Sequence, residues 1–167
     1  MKQYQKGVGL VEVLVALLLL AVAVMGFIAL QYRAIEATAE SGARVEAISL
    51  ARDLAERVRV NRTAATEYTT QLSAAANQRT ITKNCFNEAC DPTELADFDV
   101  AQVVNKARTM GMTVNYLACP DTANGRSCVY VAWGETSATH GTTNGSGNCT
   151  TGTAYDPAST CLIMEVY

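Results

Sequence analysis

One carboxylate in this chain stands where a charge is least welcome. Glu12 follows Gly7-Val8-Gly9-Leu10-Val11 and precedes an uncharged apolar run from Val13 to Leu30. From Leu10 to Leu30 the segment is about 20 residues long, roughly 30 Å as a helix, which matches the hydrocarbon core of a bilayer. A carboxylate there costs several kcal/mol unless a cation offsets it, so its chemistry is that of an ion pair whose partner has to be found. Cys85, Cys90, Cys119, Cys128, Cys149 and Cys161 form the second set of reactive groups, and His140, the single histidine, is the third.

The residues ahead of the apolar run carry Lys2 and Lys6 and no acid. The positive-inside bias therefore holds this end in the cytoplasm and sends everything after Leu30 outward. An ordinary secretory signal would use the same lysines, an apolar core from Val13 to Leu20, and Ala21-Val22-Ala23 as its small-residue cleavage site. It fits poorly, because the apolar run continues through Met25, Phe27, Ile28 and Leu30 and because Glu12 interrupts the core. A plain single-span anchor explains the length but gives no reason for Glu12 or for the Lys6-Gly7 junction.

Lys6-Gly7 followed by Val8, Gly9, Leu10, Val11 and Glu12 resembles the class III leader of type IV pilins and type II secretion pseudopilins. The resemblance implies that a prepilin peptidase cuts between Gly7 and Val8, that Val8 becomes the methylated N-terminus, and that Glu12 is the fifth mature residue. Val8 stands where the family more often has Phe. The cation is then at hand: the Val8 α-amino group lies about one helical turn from Glu12, and in a bundle of helices it can meet the Glu of a neighbouring subunit. Neutralisation in a low-dielectric site favours one axial register between subunits, so the anchor is also an assembly element. Loss of Lys2 and Lys6 on cleavage takes the formal net charge from −3 to −5.

Six cysteines in an extracytoplasmic chain of 167 residues read as disulfides rather than free thiols. They allow about 15 pairings, among which sequence cannot choose. The preferred set joins Cys85 to Cys90, Cys119 to Cys128 and Cys149 to Cys161, because each closes a short local loop. No metal site is expected: there is no C-x-x-C and only one histidine. A Cys nucleophile served by His140 has no orienting partner in its Thr/Gly-rich surroundings, so His140 reads as a surface residue and no catalytic residue or cofactor is assigned. An acidic pI near 5.1 with scattered Lys and Arg argues against nucleic acid as a principal ligand. The sequons at Asn61, Asn144 and Asn148 are too short a pattern to be specific.

These groups need elements to position them. From Gln31 to about Arg62 the pattern stays helical but turns amphipathic, with Ile35, Val45, Ile48, Leu54, Ala55 and Val58 at mostly three- and four-residue intervals, giving one helix from Val8 to about Asn61. Gly26 and Gly42 are its soft points. The run Arg52-Asp53, Glu56-Arg57 and Arg59 reads as a solvated face with local ion pairs. Ala64 to Asn77 is weakly helical. Asp91-Pro92-Thr93-Glu94 supplies an N-cap, a proline at the first helical position and an acid at the third, starting a helix from Pro92 to about Thr109 that buries Leu95, Ala96, Val100, Val103, Val104 and Ala107.

Met112 to Cys119, Cys128 to Glu135 and Leu162 to Tyr167 are rich in Val, Tyr, Thr and Ile and read as strands, the first two a hairpin around the Asn124-Gly125 turn signal. Two-residue alternation places Leu162, Met164 and Val166 on one face, with Val129, Val131 and Trp133, packed against the amphipathic half of the long helix. The stretch Cys85 to Ala101, with its short Cys-bounded loop followed by Pro92, Leu95, Ala96, Phe98 and Asp99, resembles the minor pilins of the PilV kind.

The expected protein is therefore α+β and pilin-like, with a leader at 1–7, a hydrophobic membrane and assembly helix at 8–30, and a periplasmic head at 31–167. The resemblance implies a non-enzymatic minor pilin, incorporated in a type IV pilus in its priming or tip complex. It would pass from the inner membrane to the cell surface. The partners implied are other major and minor pilins, the prepilin peptidase and the inner-membrane assembly platform. Two alternatives stay open: a type II secretion pseudopilin, which shares the leader, and a pilus-borne adhesive subunit using the Thr136 to Thr160 excursion as a ligand-binding surface.

Overall fold

The computed structural model describes residues 9–74, 78, 80–120, 122, 125–145 and 147–166. Its elements run α1 (Leu10–Val60), a 3-10 turn (Arg62–Ala64), α2 (Ala65–Ser73), α3 (Pro92–Thr109), β1 (Met112–Ala118), β2 (Ser127–Trp133), β3 (Thr150–Thr151), β4 (Ala154–Tyr155) and β5 (Cys161–Val166). The chain separates into two compact units, Met1–Gly42 and Ala43–Tyr167. No proline interrupts α1, and both Gly26 and Gly42 are helical within it.

In the second unit, the part of α1 from Ala43 onward buries Ala47, Leu50, Ala51, Leu54, Ala55 and Val58. These recur at three- and four-residue steps, one stripe of a 3.6-residue helix, and the alanines in it allow close approach of the packed elements. Two of the expected apolar positions are corrected: Ile35, in the first unit, is 68% exposed and Val45 is 65% exposed. Val45 is two positions from Ala47, about 200° around the helix axis, so it faces away from the stripe that packs.

Helix α3 begins where the local chemistry dictates. The Asp91 carboxylate accepts from the backbone N–H of Thr93 and of Glu94 at 2.8 and 2.9 Å, and Glu94 accepts from the Asp91 N–H at 2.9 Å. This reciprocal box satisfies donors that an uncapped helix leaves orphaned. Ala96, Val100, Val103, Val104 and Ala107 are buried as expected, Leu95 is only half-buried, and Phe98 and Asp99 are buried as well.

The main sheet is antiparallel in the order β1-β2-β5, with Val114 opposite Val131 and Val131 opposite Leu162. Its two faces have different cover. Val129, Val131 and Trp133, joined by Met112, Val114 and Tyr116, pack with α1, α2 and α3 in the principal core, and Leu162, Met164 and Val166 lie against it. Cys128, Tyr130 and Ala132 face the other way and share a second cluster with Ala138 and Cys149, against which Leu117, Cys161 and Ile163 pack.

The Thr136 to Thr160 excursion folds back over that second face, burying Thr136, Ala138, Cys149, Thr150 and Asp156 and forming the β3–β4 ribbon. Polar residues can be buried here because their groups are answered. Asp156 accepts from the N–H of Gly145 at 2.7 Å and of Ala158 at 2.9 Å, and Thr136 Oγ1 accepts from the Thr160 N–H at 2.9 Å. Gly141 permits the close pass of the chain, since a Cβ there would stand 2.7 Å from the Thr150 carbonyl oxygen.

Candidate functional site

Glu12 lies in the first turn of α1, where its N–H donates to the Gly9 carbonyl at 2.9 Å. Around it Leu10, Val11, Val13, Leu14 and Val15 are exposed, and the exposure continues along the apolar run to Leu30. By length and composition α1 contains a segment fit to cross a membrane, and none of that segment is buried within the chain. A soluble core helix hides its apolar side chains; this one presents them on every side, the condition of a helix whose solvent is lipid or other helices. Glu12 is the one charge on this surface between Leu10 and Leu30. Gly7 and Val8 lie outside the described residues.

The head is tied together by a polar network that the sequence reading did not anticipate. Arg57 of α1 donates to Asp53 at 2.8 Å, the local pair expected of neighbouring turns, and also to Asp99 of α3 at 2.6 Å. Asp99 is 6% exposed and accepts a second bond from the Tyr68 hydroxyl of α2 at 2.7 Å. Asn61 donates to the Pro92 carbonyl at 2.7 Å, tying the end of α1 to the start of α3, while Lys106 reaches Asp53 at 3.6 Å.

Burial and then the hydrogen bond to Asp99 push the Tyr68 phenol above its ordinary range. Burial opposes the Arg57 charge, but the hydrogen bonds to Asp53 and Asp99 outweigh it and raise the guanidinium. A carboxylate, a phenol and a guanidinium beside a cleft lined by Val60 and Leu95 can look like catalytic equipment. Here each is occupied by another member of the set, and the phenol is held in its neutral form. The arrangement joins three helices. Asp99 gave no signal of its own, since Thr93 and Asp97 lie as close to the apolar stripe of α3 as it does. The run Arg52 to Arg59 gave none, because its local pairs suffice to explain its charges.

The cysteines meet as three bridges: Cys85 with Cys90, Cys119 with Cys128 and Cys149 with Cys161, at Cα separations of 5.5, 4.9 and 5.5 Å. Cys119–Cys128 clips the turn end of the β1–β2 hairpin, at the base of its connecting loop, whereas Cys149–Cys161 ties the folded-back segment to the start of β5. The first bridge closes a loop that presents Phe86, whose ring stands edge-on to Phe98 at 5.0 Å. His140 is exposed, with Nε2 3.0 Å from the Ala118 carbonyl oxygen and its ring edge-on to Tyr130. Among the described residues no cluster of three or more His, Cys, Asp or Glu has the arrangement of a metal site.

A family model for the prokaryotic N-terminal methylation motif matches residues 2–28, and a second, described as type IV pilin Tt1218, matches residues 29–101. Residues 2–101 are those of a type IV pilin. The two matches meet between Ile28 and Ala29, so one covers the leader and the apolar run with Glu12, and the other covers the rest of α1, α2 and most of α3. The type IV pilin family is structural rather than enzymatic, which accords with a head whose reactive groups are engaged in holding it together. Neither the curated proteins nor the solved structures yield a match.

Proposed function

We propose that this type IV pilin is a minor subunit of the PilV kind, cut by prepilin peptidase between Gly7 and Val8, methylated on Val8, and incorporated into a pilus through Glu12. The leader ends at residue 7, residues 8–30 form the membrane and assembly helix, and residues 31–167 form the head, periplasmic before assembly and on the cell surface after it. Its partners are the peptidase, the inner-membrane assembly platform, and the major and minor pilins beside it in a priming or tip complex.

The observation that carries this reading is the position of Glu12: a lone carboxylate in the first turn of α1, at the head of an apolar segment that the chain leaves wholly exposed. Such a charge is tolerated when a cation meets it, and a processed α-amino group from the same or a neighbouring subunit is the cation the leader chemistry makes available. The stretch Cys85 to Ala101, on which the likeness to PilV rests, lies within the span of the second family match.

The test is a quantitative mass spectrum of sheared surface fibres. The expected result is a mature chain beginning at methylated Val8, present at a small fraction of the major subunit. An N-terminus at Val24 would defeat the processing scheme. Absence from fibres, together with loss of protein export on deletion, would assign the chain to a secretion pseudopilus instead.

A further inference from the structure

The sheet ends on β5, and among the described residues β2 is its only strand partner. In an antiparallel pair, directly opposed residues alternate between those that exchange N–H···O bonds and those that do not. Trp133 donates to the Thr160 carbonyl at 3.0 Å just beyond the strand, and the register then sets Val131 opposite Leu162 and Tyr130 opposite Ile163. Leu162, Met164 and Val166 therefore bond toward β2. The N–H and C=O of Cys161, Ile163 and Glu165 point the other way, along the open edge.

Ile163 is the middle residue of that outward set, and Tyr155 at the end of β4 answers both of its groups. The Ile163 N–H donates to Tyr155 Oη at 2.9 Å, and the same hydroxyl donates its hydrogen to the Ile163 carbonyl at 3.3 Å. A neighbouring strand would make the same two bonds at this residue. Other devices that blunt a sheet edge are weak here. The strand has no proline, and its one charge, Glu165, is paired with Arg126 at 2.6 Å.

We propose that Tyr155 is a built-in edge cap: its hydroxyl takes the bonding positions of a missing strand at Ile163 and so keeps β5 from pairing with β5 of a second copy. A second copy is the occupant because the edge is self-complementary. Two β5 strands set antiparallel about Ile163 form a two-fold contact in which Glu165 falls opposite Cys161 of the other chain, not opposite a second Glu165. No like charges meet across it. An open edge of this kind would divert heads into off-pathway sheets wherever two copies of the chain meet.

The experiment uses the full chain in detergent, at one fixed protein-to-detergent ratio, with Tyr155→Phe removing only the hydroxyl. Hydrogen exchange of the Ile163 amide should quicken on the order of tenfold, as expected for loss of one hydrogen bond, while Leu162 and Met164 stay protected by β2. Sedimentation should show a concentration-dependent dimer beyond whatever association the wild type has. Adding Ile163→Pro removes the outward N–H without touching the ladder to β2, so Tyr155→Phe/Ile163→Pro should return to the wild-type mass. A Tyr155→Phe chain with the wild-type mass overturns the proposal whatever its exchange rate. A dimer that persists with Ile163→Pro overturns it too, since the contact would then lie elsewhere.

Discussion

Arg57 and Asp99 stand 42 residues apart in sequence and 2.6 Å apart in space. Between them they close a circuit: Asp99 also accepts from Tyr68, and Arg57 also donates to Asp53. α1, α2 and α3 thus share one buried carboxylate. A hydrophobic stripe alone tolerates small rotations and slips of the helices, whereas a carboxylate with two donors at hydrogen-bond distance accepts only one arrangement.

Removing that carboxylate should cost more than removing either donor. Asp99→Ala takes one acceptor from a half-buried guanidinium that keeps Asp53 and removes the nearer acceptor of a buried hydroxyl, and we expect a loss of about 2–3 kcal/mol after allowing for the part of Arg57 that water reaches. Tyr68→Phe should cost about 1 kcal/mol, because Asp99 keeps Arg57. The double variant should lose less than the sum, since both changes act on one network. Denaturant unfolding of the full chain in detergent measures all three. Additive losses would show that the bonds do not act together.

Acid should loosen α3 from its N-terminus. The hydrogen bond from the Thr93 hydroxyl, then the Glu94 N–H, hold Asp91 below the ordinary carboxylate range, and Lys83 followed by the Asp91 N–H does the same for Glu94. Groups whose folded values are depressed contribute stability that is present above their unfolded pKa, about 4, and lost as pH falls through the folded value. Asp91→Asn keeps a capping oxygen but cannot titrate. Its melting temperature should therefore fall less than the wild type's between about pH 5 and pH 3. Parallel curves would mean that the cap plays no part in the acid response.

The bridge at Cys149–Cys161 should control whether the folded-back segment stays on the sheet. Its ends are 12 residues apart, and a loop of about 15 residues corresponds to roughly 3 kcal/mol in the chain-entropy model. In Cys149→Ser/Cys161→Ser, limited proteolysis should cut within residues 136–160 well before it reaches the β1–β2 hairpin, which Cys119–Cys128 still clips. In the wild type, thiol labelling of the unfolded, unreduced chain should find no free cysteine. Equal protease resistance in the two chains would assign the hold on this segment to its buried hydrogen bonds.

What could be read from the sequence follows the range of the forces involved. Asp91-Pro92-Thr93-Glu94 specifies a helix start from within four residues, and α3 begins there. The alternation through Val129, Val131 and Trp133 fixes which side chains share a face, and the core has that phase. Arg57 meeting Asp99 was invisible because nothing local requires it: each has an adequate solvated reading until the helices are packed. The cover over Tyr130 was invisible for a different reason. The Thr136 to Thr160 segment has almost no apolar periodicity, and it is held by side chain to backbone bonds such as those of Asp156 and by the Cys149 bridge. On α1, counting large apolar residues led to Ile35 and Val45, while the packed stripe is carried as much by Ala47, Ala51 and Ala55.

Glu12 gives the most discriminating test of how this pilin assembles. Glu12→Ala removes the one charge on the exposed apolar surface between Leu10 and Leu30, which lowers the cost of placing that surface in lipid. Insertion and membrane retention should therefore survive, and cleavage after Gly7 should too. What should fall is incorporation into fibres, because the α-amino group of a methylated Val8 would then enter a low-dielectric bundle with no carboxylate to meet it. Glu12→Asp separates charge from reach: the carboxylate is kept but retreats by one methylene, so incorporation should lie between the wild type and Glu12→Ala if the contact depends on geometry. The readout is the ratio of this subunit to the major subunit in sheared fibres, with its membrane level measured alongside. If Glu12→Ala enters fibres at the wild-type ratio, the carboxylate has no part in pairing subunits, and its place in the first turn of α1 would have to be explained by recognition at the peptidase or at the assembly platform.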